Sequence, residues 1–326
     1  MRTRNRYRFA LLLTIVALAL IPLAASAEDI TLRLKWLHGA QFAGYYAAVD
    51  QGFYEEEGLT VHFIEGASDY EEYEHLVDGP YDFLVGDALR LLQAVERDLP
   101  VIAIAAIYQF DPLVLFSLAD REITTPYHLV GKHIMSWNSV LLEALLERMG
   151  MSLSDVVEGD LSYDITKLWD GTYDVWMGYL TNEVVRTRNE GYAVNIIYPT
   201  DYGVHVYGDV LVTRQLLTQE NPDLVVRFLR ASLRGWEYVS SYPIVSASLS
   251  LRYNAELRPL HEIDAIAASL PLLHGGVANI GWMHHSKWQA VSDLLLQHGH
   301  LELPVAAADV FTLQFLEQVY QSGSRP

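Results

Sequence analysis

Apolar and polar residues alternate in the first well-patterned stretch, where Ile30, Leu32, Leu34 and Trp36 share one face of a strand. Residues Gln41 to Glu57 read as a helix that Gly58 ends. Further strands are predicted at Leu59–Ile64 and Asp82–Val85, and a continuous apolar run predicts a buried one at Val101–Ile107. Strand, helix and strand in succession predict an α/β fold with largely parallel pairing.

The pattern then repeats. Gly79-Pro80-Tyr81-Asp82-Phe83-Leu84-Val85-Gly86 is echoed by Gly171-Thr172-Tyr173-Asp174-Val175-Trp176-Met177-Gly178. Each reads as a turn feeding a short buried strand, with the last glycine letting the chain bend into a helix. Upstream, Trp36 and Trp137 both stand where a strand hands over to a helix. Two echoes in the same order predict two similar α/β lobes. In open α/β sheets, ligands bind outside the carboxyl ends of the strands. A cleft between two such edges closes by hinge motion. One lobe would offer Trp36 to Tyr45 with Asp87, and the other Trp137 to Ser139 with Tyr179 to Glu183.

Composition narrows the chemistry. The 326 residues hold 22 Lys+Arg against 41 Asp+Glu, a net charge of −19, which argues against binding nucleic acid or an anionic membrane face. With no cysteine, disulfides, thiolate metal sites and a cysteine nucleophile are excluded. Arg2, Arg4, Arg6 and Arg8 precede an apolar run from Phe9 to Ala24 and then Ala25-Ser26-Ala27. That order predicts an export signal over residues 1–27, cleaved after Ala27, and hence an exported protein. The remaining 18 basic and 41 acidic residues give −23.

The segment LKWLHGAQFAGYYAAVDQGFYEEEGL (34–59) resembles the opening of thiamine-pyrimidine-type solute-binding proteins, a family that also contains the fungal thiamine pyrimidine synthases. VGDAL (85–89), YLTNE (179–183), YPTDYGVHVYGDVLVTR (198–214) and NPDLVVRFLRASLRGWEYV (221–239) agree with it. The resemblance implies a type II periplasmic binding protein fold: two α/β lobes around a ligand cleft, joined by two crossover strands, Pro112–Leu118 and Asp209–Thr213. Lobe one would comprise 28–112 and 211–326, and lobe two 113–210. It also implies an ABC importer, with a permease in the inner membrane as partner.

Trp36, Phe42, Tyr45, Trp137, Tyr179 and Tyr207 lie in the cleft segments and suit stacking on a planar ring. Their polar companions are His38, Gln41, Asp87, Asn138, Ser139, Asn182, Glu183 and Asp209. No Arg or Lys follows either tryptophan in its loop, whereas a sulfonate, nitrate or phosphate site calls for cations or free helix N-terminal amides. Acidic and amide acceptors beside aromatics suit a neutral or weakly cationic heterocycle bearing N–H donors, such as an aminopyrimidine; a flavin is the alternative. The match at YLTNE selects Glu183 to pair with an amine or ring N–H, with Asp87 second. Asp209 serves equally well as an orienting residue for its strand.

An enzyme of the synthase type is disfavoured. Its first-loop histidine aligns with Phe42, and its cysteine-rich iron motif has no counterpart. Gly39 and Ala40 replace bulkier residues and point to a wider cleft. No nucleophile elbow, phosphate loop or H-E-x-x-H motif occurs. His284-His285 and His298-x-His300 read as surface histidines rather than metal ligands. The expectation is a monomeric periplasmic capture protein without catalytic residues, cofactor or metal; a ligand sensor working with a partner protein is the other binding role.

Overall fold

The computed structural model describes residues 27–67, 71–277 and 279–321. The predicted export signal lies outside the described residues apart from Ala27 itself. Among the described residues, no helix is long and apolar enough to cross a membrane.

Two five-stranded sheets organise the chain. The first runs β2 (Leu59–Ile64), β1 (Glu28–Arg33), β3 (Phe83–Asp87), β10 (Asp209–Arg214), β4 (Val101–Ala106). The second runs β7 (Val157–Gly159), β6 (His133–Met135), β8 (Val175–Tyr179), β5 (Leu113–Leu118), β9 (Val194–Ile197). Pairing is mixed rather than largely parallel. β10 lies antiparallel to both β3 and β4, and β5 antiparallel to both β8 and β9. The reason is topological: in each sheet a strand that has crossed between the halves inserts against the direction of its neighbours. β10 is paired entirely in the first sheet, from Asp209 onward.

The echoed segments occupy equivalent places, β3 between β1 and β10, and β8 between β6 and β5. Their shared residues do the same work. Asp82 accepts from Thr31 N at 3.0 Å, and Asp174 from His133 N at 3.0 Å, so each carboxylate fastens the neighbouring parallel strand. The Tyr81 hydroxyl donates to Glu72 O, and that of Tyr173 to Asp160 O. Gly79 and Gly171 make the turn, with φ of 99° and 83°. Gly86 and Gly178 do not bend the chain; they lie within the strands. A Cβ at Gly86 would run into the Tyr73 hydroxyl, and one at Gly178 would sit 3.0 Å from Glu183 Cβ.

The helix predicted over residues 41–57 is divided. A 3₁₀ turn, Ala40–Phe42, leads into α1 (Ala43–Asp50), and a separate turn follows at Phe53–Glu56. Gly52, at φ 73°, breaks the continuity. Four further helices matter for the site: α2 (Ala88–Glu96), α3 (Ser139–Arg148), α4 (Glu183–Asn189) and α5 (Pro222–Ser241). α5 packs backbone-close against α1. A Cβ on Gly235 would overlap Gly44 O, and one on Gly44 would enter the Trp236 ring.

Replacing Gly235 by Ala gains about 1 kcal/mol of helix propensity but overfills this contact, at roughly 1–3 kcal/mol or more. Because backbone oxygen cannot move aside as a side chain can, the steric term wins. Urea unfolding of Gly235→Ala is expected to show net destabilisation; wild-type stability would mean that the two helices separate freely.

Candidate functional site

The strand ends of the first sheet converge on one ammonium. Lys35, two residues beyond β1, places Nζ 3.3 Å from Asp87 Oδ2 and 3.3 Å from Asp209 Oδ1. Asp87 closes β3 and caps α2, accepting from Leu89 N at 2.9 Å. Asp209 opens β10; its side chain is 2% exposed and takes two bonds from Gln41 Nε2, at 3.0 and 2.7 Å. Asp111 lies in the crossover before β5 and accepts from Leu113 N at 2.8 Å. From the second sheet, the ring of Tyr179 faces Lys35, its centroid 5.5 Å from Nζ.

This arrangement sets the charges. Burial opposes the Lys35 ammonium, but Tyr179, Asp87, Asp209 and Asp111 outweigh it and hold its pKa well above the ordinary lysine value. Burial also raises Asp87, yet Lys35, Arg90 and the helix amide prevail and keep its pKa low. Asp209 is raised by burial, partly offset by Lys35 and Gln41. Asp111, buried and near two other acids, is pushed up to about 7. Lys35 thus stands among three carboxyl groups, while Arg90 also acts on Asp87 and Lys287 on Asp111.

The second lobe supplies an aromatic wall. Trp137 and Tyr179 lie 5.7 Å apart between ring centroids, and Trp137 keeps 44% of its surface exposed. Glu183 Oε2 accepts from Tyr179 N at 2.8 Å, and burial raises its pKa despite that bond. Asn182 Nδ2 sits 3.4 Å from Glu183 Oε1. Asn138 is spent on capping α3, accepting from Leu141 N at 3.2 Å, and Ser139 is exposed in the first turn of that helix. Trp36 is 38% exposed beside Lys35 in the chain.

Four predicted residues go elsewhere. Phe42 and Tyr45 are core residues, Tyr45 edge-on to Trp236, because the inner face of α1 is covered by α5. Tyr207 is buried beside Trp288 and its oxygen accepts from His284 N. His38 bonds the Tyr46 hydroxyl at 2.8 Å and stacks on Tyr253, away from the ammonium. Conversely, Lys35 and Asp111 escape a reading that begins after Trp36. The available signals were a lysine at the last position before the loop and an Asp-Pro at the entry to the crossover. His298 is no surface residue either: its side chain is 2% exposed.

A cavity of about 310 Å³ lies apart from this cluster, between α2 and the helix Glu72–Asp78. Its arginines are occupied, Arg90 by Glu72 and Arg97 by Glu74, and it lacks the facing aromatic pair. The Lys35 cluster is the better candidate because it draws on both lobes.

The NMT1/THI5-like family model matches residues 39–245. The chain belongs to that family. A formylaminopyrimidine-binding protein of Halalkalibacterium halodurans is 24% identical over 93% of this chain and 97% of its own. The riboflavin-binding protein RibY of Chloroflexus aurantiacus is 27% identical over 89% and 86%. Among solved structures, the periplasmic aliphatic sulphonate binding protein SsuA of Escherichia coli superposes with a TM-score of 0.73 at 14% identity, covering 90% of this chain and 99% of that one. The fold of this NMT1/THI5-like chain is therefore the two-lobed type II periplasmic binding fold.

Two outcomes can be expected from the charges of this cluster. A carboxyl raised from about 4 in the unfolded chain to about 7 in the fold is protonated in the folded state over that interval. Stability is lost as pH rises through it. Asp111→Asn should flatten the fall in melting temperature between pH 5 and 7; an unchanged slope would assign the effect to other acids. Lys35→Met should cost about 3–5 kcal/mol at pH 8, the loss expected when one partner of a buried pair is removed. The deficit should shrink at pH 5, where the buried acids, no longer held ionised by the ammonium, take up protons. A pH-independent deficit would mean that Lys35 acts only by packing.

Proposed function

We propose that this chain is the periplasmic solute-capturing component of an ABC importer, and that its ligand is a small N–H-bearing heterocycle, foremost an aminopyrimidine. One observation carries the choice of ligand: Lys35 is already shared between Asp87 and Asp209, while Asp111 adds a third carboxyl group. An entering sulfonate would meet three acids whose bridging cation, Lys35, is already engaged, at a Coulombic cost. An aminopyrimidine meets acceptors instead, and its ring amidine edge suits a carboxylate through charge-assisted hydrogen bonds.

In this reading the ring lies against Trp137 and Tyr179 of the second lobe, with Trp36 at the rim. Asp111 and Glu183 take its N–H groups; Asp87, Asp209 and Gln41 hold Lys35 and the strand ends in place. The ligand touches both lobes, so it stabilises their closed arrangement, which a permease in the inner membrane recognises. The similarity to binders of a formylaminopyrimidine and of riboflavin supports a capture role rather than catalysis. The absence of cysteine adds to that.

Thermal unfolding with a formylaminopyrimidine, riboflavin and an alkanesulfonate tests this directly. The expected result is a rise in melting temperature with the aminopyrimidine. Trp137→Ala, Asp111→Asn and Glu183→Gln should each weaken its binding by about 1–3 kcal/mol. A response to the sulfonate alone would sink the heterocycle reading; a response to riboflavin alone would replace the pyrimidine by a flavin. Unaltered affinity in all three variants would place the ligand elsewhere.

A further inference from the structure

We infer that Glu143, Glu147 and His298 form a binding site for a divalent transition-metal ion that ties the two lobes together. The two glutamates stand one turn apart on α3, which follows β6 of the second sheet, so their carboxylates share a helix face. His298 directly follows the helix His285–Gln297, which packs on α2 of the first lobe. The three side chains therefore meet only because the lobes face each other.

The geometry fits an ion. His298 Nδ1 lies 3.4 Å from Glu143 Oε2, and Nε2 lies 3.6 Å from Glu147 Oε2. One ligand atom from each residue lies within 4.8 Å of the others. The two histidine contacts use different ring nitrogens, so one ion takes one nitrogen and both carboxylates turn toward it, closing their 4.8 Å span to the roughly 3.3–3.6 Å between ligand atoms that bonds of about 2.0–2.2 Å set in a tetrahedron. The imidazole is buried, whereas the carboxylates are 31% and 42% exposed, which leaves an entry path and room for water ligands. Gln297 Nε2 steadies Glu147 Oε2 from 2.8 Å.

One imidazole and two carboxylates suit zinc, manganese, iron(II) or cobalt(II), and without thiolates the site is poorly matched to copper(I). In the sequence the histidine stands about 150 positions from the glutamates, so its spacing alone carries no metal signature. An ion here bridges lobes that move apart when the cleft opens. It therefore favours the closed form, and by linkage any solute that favours closure tightens the metal to the same degree. That coupling rests on the proposed capture role; the site itself does not.

The test is a Co²⁺ titration of the chelator-treated protein without organic solute, followed by visible d–d absorption, with Zn²⁺ as competitor. One saturable equivalent is expected. Glu143→Gln combined with Glu147→Gln, and separately His298→Gln, should weaken it by at least about tenfold, whereas His284→Gln with His285→Gln should leave it unchanged. The glutamate pair decides if the buried histidine variant does not fold, because those partly exposed carboxylates accept isosteric amides. No saturable band in the wild type, equal affinity in the glutamate double variant, or loss confined to the His284/His285 variant would overturn the site. A failure to bind pyrimidine or riboflavin would bear on the capture role and leave the metal result standing.

Discussion

The architecture turns on one largely buried ammonium. Lys35 brings together the end of β1, the end of β3 and the start of β10, with the entry to β5 close by and the ring of β8's Tyr179 against it. Burying one cation with several acids is costly unless each is paired or hydrogen-bonded. Here Asp87 draws on helix amides, Asp209 on Gln41 and Asp111 on Leu113 N. The least compensated member is Asp111, which explains why its proton is held to higher pH than an ordinary aspartate's.

Around that centre, the two halves solve one problem twice. Each carries a G-x-Y-D segment whose tyrosine ties down the segment before it and whose aspartate clasps a parallel neighbour. Each accepts one reversed strand beside that segment. The connections run side by side: Ile107 N bonds Asp209 O, and Asp111 N bonds Val206 O. The two connections between the sheets thus lie side by side and end in the Lys35 cluster.

Much of this was legible in the chain. The G-x-Y-D echo located β3 and β8, because a turn glycine followed by a short apolar run is a local signal. The two exposed tryptophans lie in the loops just after strands, but the strands predicted to reach them stop short, at Arg33 and Met135. The aromatic candidates on α1 were less legible. A helix shows which residues share a face, yet only its neighbour determines whether that face is cleft or core; the close glycine contact with α5 sends Tyr45 inward.

By itself, the sequence determined the α/β class, the repeated lobes, the surplus of negative charge and the exclusion of thiolate chemistry. These follow from periodicity and composition, which act over a few residues or over none. The tertiary structure decided which charges meet. Lys35 and Asp209 are 174 positions apart, and they pair because β10 inserts beside β3 in the first sheet. His298 meets Glu143 and Glu147 only across the two lobes. No local pattern records such pairings, because burial and proximity between distant segments arise only when the strands have chosen their order.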